Sequence, residues 1–155
     1  MTEIVFREAG EADLPAIVAM LADDDIGRGR ETAEDLEPYR RAFRDMQAQG
    51  GNVAIVALDA AGAICGCFQY TLIPGLSRSA ARRAQVEGVR VASSMRGQGL
   101  GERLMGEAIR MASADGAAMV QLTSDLRRKD AIRFYERLGF VHSHAGMKLD
   151  LPDAE

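Results

Sequence analysis

The segment from Arg96 to Gly101 gives this chain its clearest chemical signal, because it reads Arg-Gly-Gln-Gly-Leu-Gly and so contains three glycines. The segment follows a strand-like run that ends near Val91, and it leads into a helix-like run from Leu100 to Ala114. Glycines let the backbone turn tightly and approach a ligand closely, and the first N–H groups of a helix lack intrahelical partners. Because the helix dipole adds partial positive charge there, the segment predicts a binding site for a phosphate or pyrophosphate.

The spacing of the glycines narrows the choice of ligand. They fall as Gly-x-Gly-x-Gly, which differs from the dinucleotide fingerprint Gly-x-Gly-x-x-Gly, and no Lys-Ser or Lys-Thr follows as in a P-loop. The pattern that fits is Arg-x-x-Gly-x-Gly, and it resembles the pyrophosphate-binding motif of the GNAT family of N-acetyltransferases, which bind coenzyme A. The resemblance assigns six consecutive residues to the cofactor: Arg96, Gly97, Gln98, Gly99, Leu100 and Gly101.

A second block carries the same resemblance. Residues 130–140 read Asp-Ala-Ile-Arg-Phe-Tyr-Glu-Arg-Leu-Gly-Phe, which is similar to the family's Ala-x-x-x-Tyr helix ending in Gly-Phe. Ala131, Phe134, Tyr135 and Leu138 share one helix face by their spacing, and the glycine after them is the expected C-cap. By residue type alone, Tyr135 also fits an aromatic residue of the core.

The resemblance implies both a fold and an activity. The fold is α/β, with a mixed, mostly antiparallel central sheet, helices on both faces and the order βααβββαβαββ, in a single domain over residues 1–155. The activity is transfer of acetyl from acetyl-CoA to a primary amine of a small molecule, by direct attack through a ternary complex. Two alternatives stay open: acetylation of a protein or peptide amine, which the acidic residues 23–25 could attract, and a catalytically silent CoA-binding regulatory domain.

The resemblance also implies roles for residues of the strand before the glycine loop. Val89 and Val91 pair by position with the pantetheine arm of the cofactor, and a backbone N–H near Val89 stabilises the oxyanion of the reaction. Glu87 lies where many family members carry a glutamate base, although a surface carboxylate on an exposed strand face fits it too. Tyr135 matches the family's general acid, because a tyrosine hydroxyl keeps its proton at neutral pH. Gly88, inside the strand, could allow a β-bulge, and an ordinary strand glycine is the competing interpretation.

One position departs from the family pattern. Many members carry Asn three residues before the motif alanine, where this chain has Arg128; we expect Arg128 and Phe134 to contact the cofactor. The surrounding segment is similar to the aminoalkylphosphonate N-acetyltransferase subgroup, which implies a small amine bearing an acidic group. Arg78, Arg82 and Arg83 could bind such a phosphonate or carboxylate, and a solvated basic loop is the competing interpretation.

Hydrophobic periodicity predicts the elements that must position these residues. An Asp-Ala-Ala-Gly turn at residues 59–62 indicates a hairpin between two of the strands. The predicted strands cover residues 4–8, 53–58, 64–73, 84–92, 118–123, 140–143 and 147–151. The predicted helices cover residues 11–22, 32–49 (as one helix or two) and 100–114, with a last helix in the second block.

Composition limits the class of protein. A chain of 155 residues with 47% hydrophobic and 27% charged residues is typical of one soluble globular domain. It has no apolar run of membrane-spanning length and no signal-peptide pattern, so we expect a cytoplasmic protein that does not bind membranes. A net charge of −4 argues against a general nucleic-acid binder. Whether the chain forms a homodimer stays open.

The sulfur and imidazole groups do not predict a metal site. Cys65 and Cys67 are separated by one glycine in an apolar run, and the histidines are His142 and His144. The Cys-x-Cys spacing is not that of a zinc finger. We therefore predict no metal cofactor, and two small buried thiols instead.

Overall fold

A computed structural model describes residues 3–153 of the chain. It divides into two compact units, the first ending at Leu122 and the second beginning at Thr123. The first unit contains the sheet and most of the helices, and the second contains the last helix.

The first unit is built on a five-stranded mixed sheet in which the spatial order of the strands equals their order along the chain. The first four strands are antiparallel neighbours, and the fifth lies parallel to the fourth. The strands are β1 (Val5–Glu8), β2 (Asn52–Leu58), β3 (Ile64–Ile73), β4 (Arg83–Val91) and β5 (Met119–Gln121). The helices of this unit are α1 (Leu14–Ala22), α2 (Glu37–Gln49), the four-residue α3 (Ser77–Ala80) and α4 (Leu100–Ala114).

Helices cover both faces of the sheet, and neighbouring residues of β3 show which helix covers which face. Cys67 belongs to a buried cluster with Ile17 and Met20 of α1. The residue before it, Gly66, faces the other way, because a Cβ built on it would lie 3.1 Å from the side chain of Leu104 in α4. The α/β fold class, with helices on both faces of a mixed sheet, is therefore confirmed.

The region from Thr32 to Gln49 contains one helix, α2, and it begins only at Glu37. Pro38 explains the late start, because proline has no N–H for an intrahelical hydrogen bond and fits only the first turn of a helix. The predicted first helix likewise starts later than residue 11, since Glu11–Asp13 form a 3-10 turn that leads into α1.

The order of elements differs from βααβββαβαββ in the last two strands. Within residues 3–153, neither 140–143 nor 147–151 forms a strand. Alternating apolar side chains give a segment one apolar face, but a strand also needs the N–H···O=C bonds of a neighbour. Here Met147, Leu149 and Leu151 are each more than four-fifths exposed, so the alternation has no packed surface to bury against.

The second unit contains the helix α5 (Lys129–Arg137). Gly139 has a φ of +94° just after the helix, as expected of a C-cap glycine. The N–H of Phe140 donates to the carbonyl of Tyr135 at 3.1 Å, which closes the last turn. The predicted helix of the second block is confirmed.

A buried tyrosine connects β3 to the end of α4. The Tyr70 hydroxyl donates a hydrogen bond to the Asp115 carboxylate at 2.7 Å, directly after the helix. Burial of Tyr70, followed by its hydrogen bond to Asp115, raises the pKa of the hydroxyl above its ordinary value. The protonated hydroxyl is therefore the form that the folded protein favours.

We expect Tyr70→Phe to lower the free energy of unfolding by about 1–2 kcal/mol, because Asp115 loses a donor to its carboxylate. The raised pKa means that this stabilisation is fully present below about pH 10, the ordinary tyrosine pKa, and is lost as the pH rises above it. Urea unfolding near neutral pH and at about pH 11 measures both effects. The wild type should lose more stability than the variant on going to alkaline pH, and equal losses would contradict the assignment.

Candidate active site

The loop between β4 and α4 has the geometry that an anion site requires. Gly97 and Gly99 have φ values of +74° and +78°, in the left-handed region that favours glycine. A Cβ built on either residue would meet no atom within 4 Å, so the space beside this backbone is open. Gly99 immediately precedes α4, whose first N–H groups adjoin that space. The loop therefore fits a pyrophosphate.

Two side chains of this loop contact other parts of the protein. Leu100 is buried and packs toward Gly66, so only its backbone can contact a ligand. Gln98 donates back to the carbonyl of Ser94 at 2.9 Å. The loop would therefore bind an anion mainly through its backbone.

Arg96 forms an ion pair with the residue that follows α1. Its Nη2 lies 2.9 Å from the Asp23 carboxylate and also donates to the Asp23 carbonyl at 3.2 Å. Both side chains are about half-exposed, and exposed pairs of this kind are worth little energy. A phosphate group can therefore compete with Asp23 for Arg96.

The strand β4 contains the bulge predicted at Gly88. Cys67 lies opposite Arg90 and Gln69 lies opposite Glu87, so the two residues between Glu87 and Arg90 together face one residue of β3. Gly88 has a φ of +58°, which favours glycine at this point. A Cβ on Gly88 would lie 3.4 Å from the side chain of a leucine near the end of α1, so the bulge lies beneath that helix.

Beyond the bulge, the side of β4 that faces β5 is open. The two strands pair only over Arg83–Gln85, while β4 continues to Val91 without β5 as a neighbour. The N–H of Ala92 donates to Cys65 of β3 at 2.8 Å. Backbone groups alternate in direction along a strand, so those of Val91 point toward the open side. An extended ligand can pair with them as a strand would.

The carbonyl of Val89 is already engaged by the next residue. Arg90 donates to it through Nη1 at 2.9 Å, and the Nε of Arg90 lies 3.7 Å from the Asp24 carboxylate. Asp24 belongs to the loop after α1, so that loop has an ionic contact with β4 beside Glu87. The N–H of Val89 is therefore the backbone group of this residue that a reaction could use.

The side chain of Glu87 is exposed. It shares a sheet face with Gln69, opposite it on β3, and α1 covers another part of that face. This exposure fits both interpretations of Glu87. A base must be accessible to an incoming amine, and an ordinary surface carboxylate is exposed as well. Kinetics of a Glu87 variant must decide between the two interpretations.

Three predicted site residues lie in the second unit. Arg128 is the residue before α5, and Phe134 and Tyr135 are half-buried within the helix. The two rings meet edge-to-face with centroids 5.1 Å apart, and the Tyr135 ring lies 5.9 Å from that of Phe140. The second unit thus brings these aromatic residues together around Tyr135.

The three arginines considered for an acidic acceptor lie in different environments. Arg82 donates to the Asp115 carbonyl at 3.1 Å, at the end of α4. Arg83 is half-buried and donates to the Gln121 side chain at 3.4 Å. Arg78 is exposed, with a φ of +53° in α3. The sequence did not reveal the contact with Gln121, because it joins two strands that are distant in the chain.

The cysteines are the buried, free thiols that the sequence predicts. Burial raises the pKa of Cys67 to about 12, so this thiol keeps its proton. In the part of the chain that the structure describes, no group of three or more His, Cys, Asp or Glu side chains could hold a metal ion. No helix between residues 3 and 153 is long and apolar enough to cross a bilayer.

Comparisons with known proteins agree with this geometry. Residues 16–140 match the sequence model described as the acetyltransferase (GNAT) family. The chain is 34% identical over 142 residues to an L-methionine sulfoximine/L-methionine sulfone acetyltransferase of Pseudomonas aeruginosa, covering 86% of this chain and 78% of that one. It is 37% identical over 60 residues to the aminoalkylphosphonate N-acetyltransferase of Salmonella typhimurium, covering 39% of each.

A solved structure also resembles the chain closely. A protein from Bacillus halodurans described as a transcriptional regulator superposes with a TM-score of 0.91 and 43% sequence identity, covering 96% of this chain and 100% of that one.

Proposed function

The chain belongs to the acetyltransferase (GNAT) family, and from this premise we propose that it acetylates a primary amine of a small molecule by direct attack within a ternary complex. As an acetyl-CoA-dependent N-acetyltransferase, it needs a cofactor site beside a place for the amine. The observation that carries the proposal is the open side of β4, which runs from the exposed Glu87 to the glycine loop at α4. The relationship to an acetyltransferase for L-methionine sulfoximine and sulfone supports a small acceptor.

We assign cofactor binding to the glycine loop and the strand before it. When bound, acetyl-CoA supplies an acetyl thioester. The backbone N–H groups of residues 97–101 bind its pyrophosphate, and Arg96 exchanges Asp23 for a phosphate oxygen. Val91 pairs with its pantetheine arm, and Val89 meets the thioester end of that arm through its N–H. Arg128 and Phe134 supply further contacts.

The remaining residues move protons and stabilise charge. Glu87 takes a proton from the acceptor amine, directly or through a water molecule, because an ammonium group cannot attack. The N–H of Val89 donates to the carbonyl oxygen as that oxygen gains negative charge. Tyr135 would donate its proton to the sulfur as the C–N bond forms and the C–S bond breaks, and the second proton lost by the amine nitrogen would restore the tyrosine hydroxyl.

Glu87→Gln distinguishes a base from an electrostatic or surface role. If Glu87 is the base, kcat/KM should fall about 10²–10⁴-fold at neutral pH, and the defect should shrink as the pH rises, because free amine then replaces its action. If Glu87 only attracts the ammonium group, the loss should appear in KM and weaken with added salt. A pH–rate profile at two salt concentrations measures both.

Glu8→Gln is the matched control, because Glu8 is also an exposed strand glutamate but lies on β1, three strands away from β4. This variant should keep the wild-type profile. A wild-type profile for Glu87→Gln as well would remove Glu87 from the reaction.

One observation favours a second candidate function. The Bacillus halodurans protein described as a transcriptional regulator is 43% identical to this chain, so a CoA-binding regulatory domain is the alternative. Thiol release from acetyl-CoA separates the candidates when L-methionine sulfone, simple amines and peptides are offered as acceptors. Release with small amines supports the proposal, and release with peptides alone supports protein acetylation. Calorimetric binding of CoA without any release supports the regulatory domain.

A further inference from the structure

The face of the sheet that carries Glu87 has an apolar part and a polar part. In the apolar part, Val56 and Cys67 pack with Ile17 and Met20 of α1. In the polar part, strand alternation and register place a group of hydrogen-bonding side chains together on the same face. These are Asn52, Gln69, Thr71, Arg83, Gln85, Glu87 and Gln121.

Hydrogen bonds fix the orientation of this group on β4 and β5. The Gln121 amide donates to the Gln85 side-chain oxygen at 2.9 Å, and Arg83 donates to the Gln121 oxygen at 3.4 Å. All three side chains are half-buried. A guanidinium has five N–H donors, and this contact uses one of them. Arg83 thus contacts Gln121 and has donors available for a further partner.

The neighbouring strands continue the group. Gln69 donates to the Asn52 side-chain oxygen at 2.9 Å, and the Thr71 hydroxyl approaches the same oxygen at 3.2 Å. These uncharged side chains thus bond to one another. Within this group Glu87 carries the negative charge and Arg83 the positive charge. The neighbouring Arg90, opposite Cys67 on the same face, forms an ion pair with Asp24.

The charges on these two residues suit a molecule with an amine and an acid. Arg83, Gln85 and Glu87 are every second residue of β4 and share one face of the sheet. The Cα atoms of Arg83 and Glu87 are therefore about 13 Å apart, at 3.3 Å per residue. Gln85 lies between the two residues on that face. A guanidinium binds carboxylate or phosphonate through paired hydrogen bonds, and a carboxylate attracts an ammonium group. A small amine with an acidic group fits between them.

We propose that Arg83, oriented by Gln121, binds the acidic group of the acceptor while Glu87 meets its amine. The acceptor is therefore a small amine that carries a carboxylate or a phosphonate. This inference rests on the proposed function and adds to it the residue that selects the acceptor. Arg82 provides the contrast, because its side chain contacts the carbonyl of Asp115 at the end of α4.

Matched acceptor pairs test the inference. One pair is L-methionine sulfone and its decarboxylated amine, and the other is aminoethylphosphonate and ethylamine. For the wild type we expect higher kcat/KM with the acid-bearing member of at least one pair. Arg83→Gln should lower kcat/KM for that member about 10–100-fold, the value of a charged hydrogen bond, and leave its plain amine unchanged. Arg83→Lys keeps the charge but lacks the paired donors, so it should recover only part of the loss.

Arg82→Gln is the control and should leave the preference within each pair as in the wild type. A wild type that acetylates both members of each pair equally overturns the inference and leaves the proposed function standing. So does an Arg83→Gln variant that slows both members alike. A wild type that acetylates none of the four acceptors while binding CoA overturns the small-molecule function itself. The preferred pair identifies the acid as a carboxylate or a phosphonate.

Discussion

Tyr135→Phe should lower kcat roughly 10²–10⁴-fold while leaving the affinity for acetyl-CoA nearly unchanged. The substitution removes one hydroxyl and keeps the ring. Its edge-to-face contacts with Phe134 and Phe140 should therefore survive. If the hydroxyl donates the proton that the departing sulfur needs, its loss acts on the chemical step alone. Steady-state thiol release gives kcat, and calorimetry gives the affinity.

Tyr70→Phe is the matched control, since it also removes a tyrosine hydroxyl and keeps the ring, but at the junction of β3 with α4. It should lose stability and keep its kcat at a temperature where it is fully folded. A single-turnover measurement shows whether chemistry limits the rate. An unchanged single-turnover rate for Tyr135→Phe would make Tyr135 a packing residue only.

Gly101→Asp should weaken acetyl-CoA binding at least about 100-fold. The new carboxylate would lie where the pyrophosphate approaches the helix, and like charges in contact cost several kcal/mol. The protein should stay folded. Gly101 is the second residue of α4, where a negative charge is favourable to the helix dipole and where replacing glycine favours helix formation. Isothermal titration with acetyl-CoA measures the affinity, and thermal unfolding confirms the fold.

Gly106→Asp supplies the control on the same helix. Gly106 is exposed, and a Cβ there would meet no atom within 4 Å. The Gly106→Asp substitution adds the same charge away from the start of the helix. The affinity of this variant for acetyl-CoA should therefore be close to that of the wild type. Tight binding by Gly101→Asp would place the pyrophosphate elsewhere.

Local signals in the sequence predict the part of the site that lies along one stretch of chain. The bounds of α4 and β3 agree with the prediction because glycines and turn residues mark their ends. Gly88 signals the bulge locally, since a glycine inside a strand often marks one. The family motifs then attach roles to these positions.

Contacts between strands could not be predicted in this way. Periodicity shows which residues of one strand share a face, but the pairing of Gln121 with Gln85 depends on the register between β4 and β5. The ion pair of Arg96 with Asp23 joins residues 73 positions apart. The prediction of the last two strands was wrong for a related reason, because alternation of apolar residues at 147–151 does not specify a partner strand.

The open side of β4 also bears on how this protein behaves in concentrated solution. Over residues 86–91, β4 has backbone groups along a side that β5 does not cover. Such edges are templates for strands of other molecules, and sheet proteins commonly protect them with charged side chains. Arg90 places a charge within this short run, between two valines. Arg90, which contacts Asp24 beside the candidate site, thus also discourages aggregation along the part of β4 that β5 does not pair with.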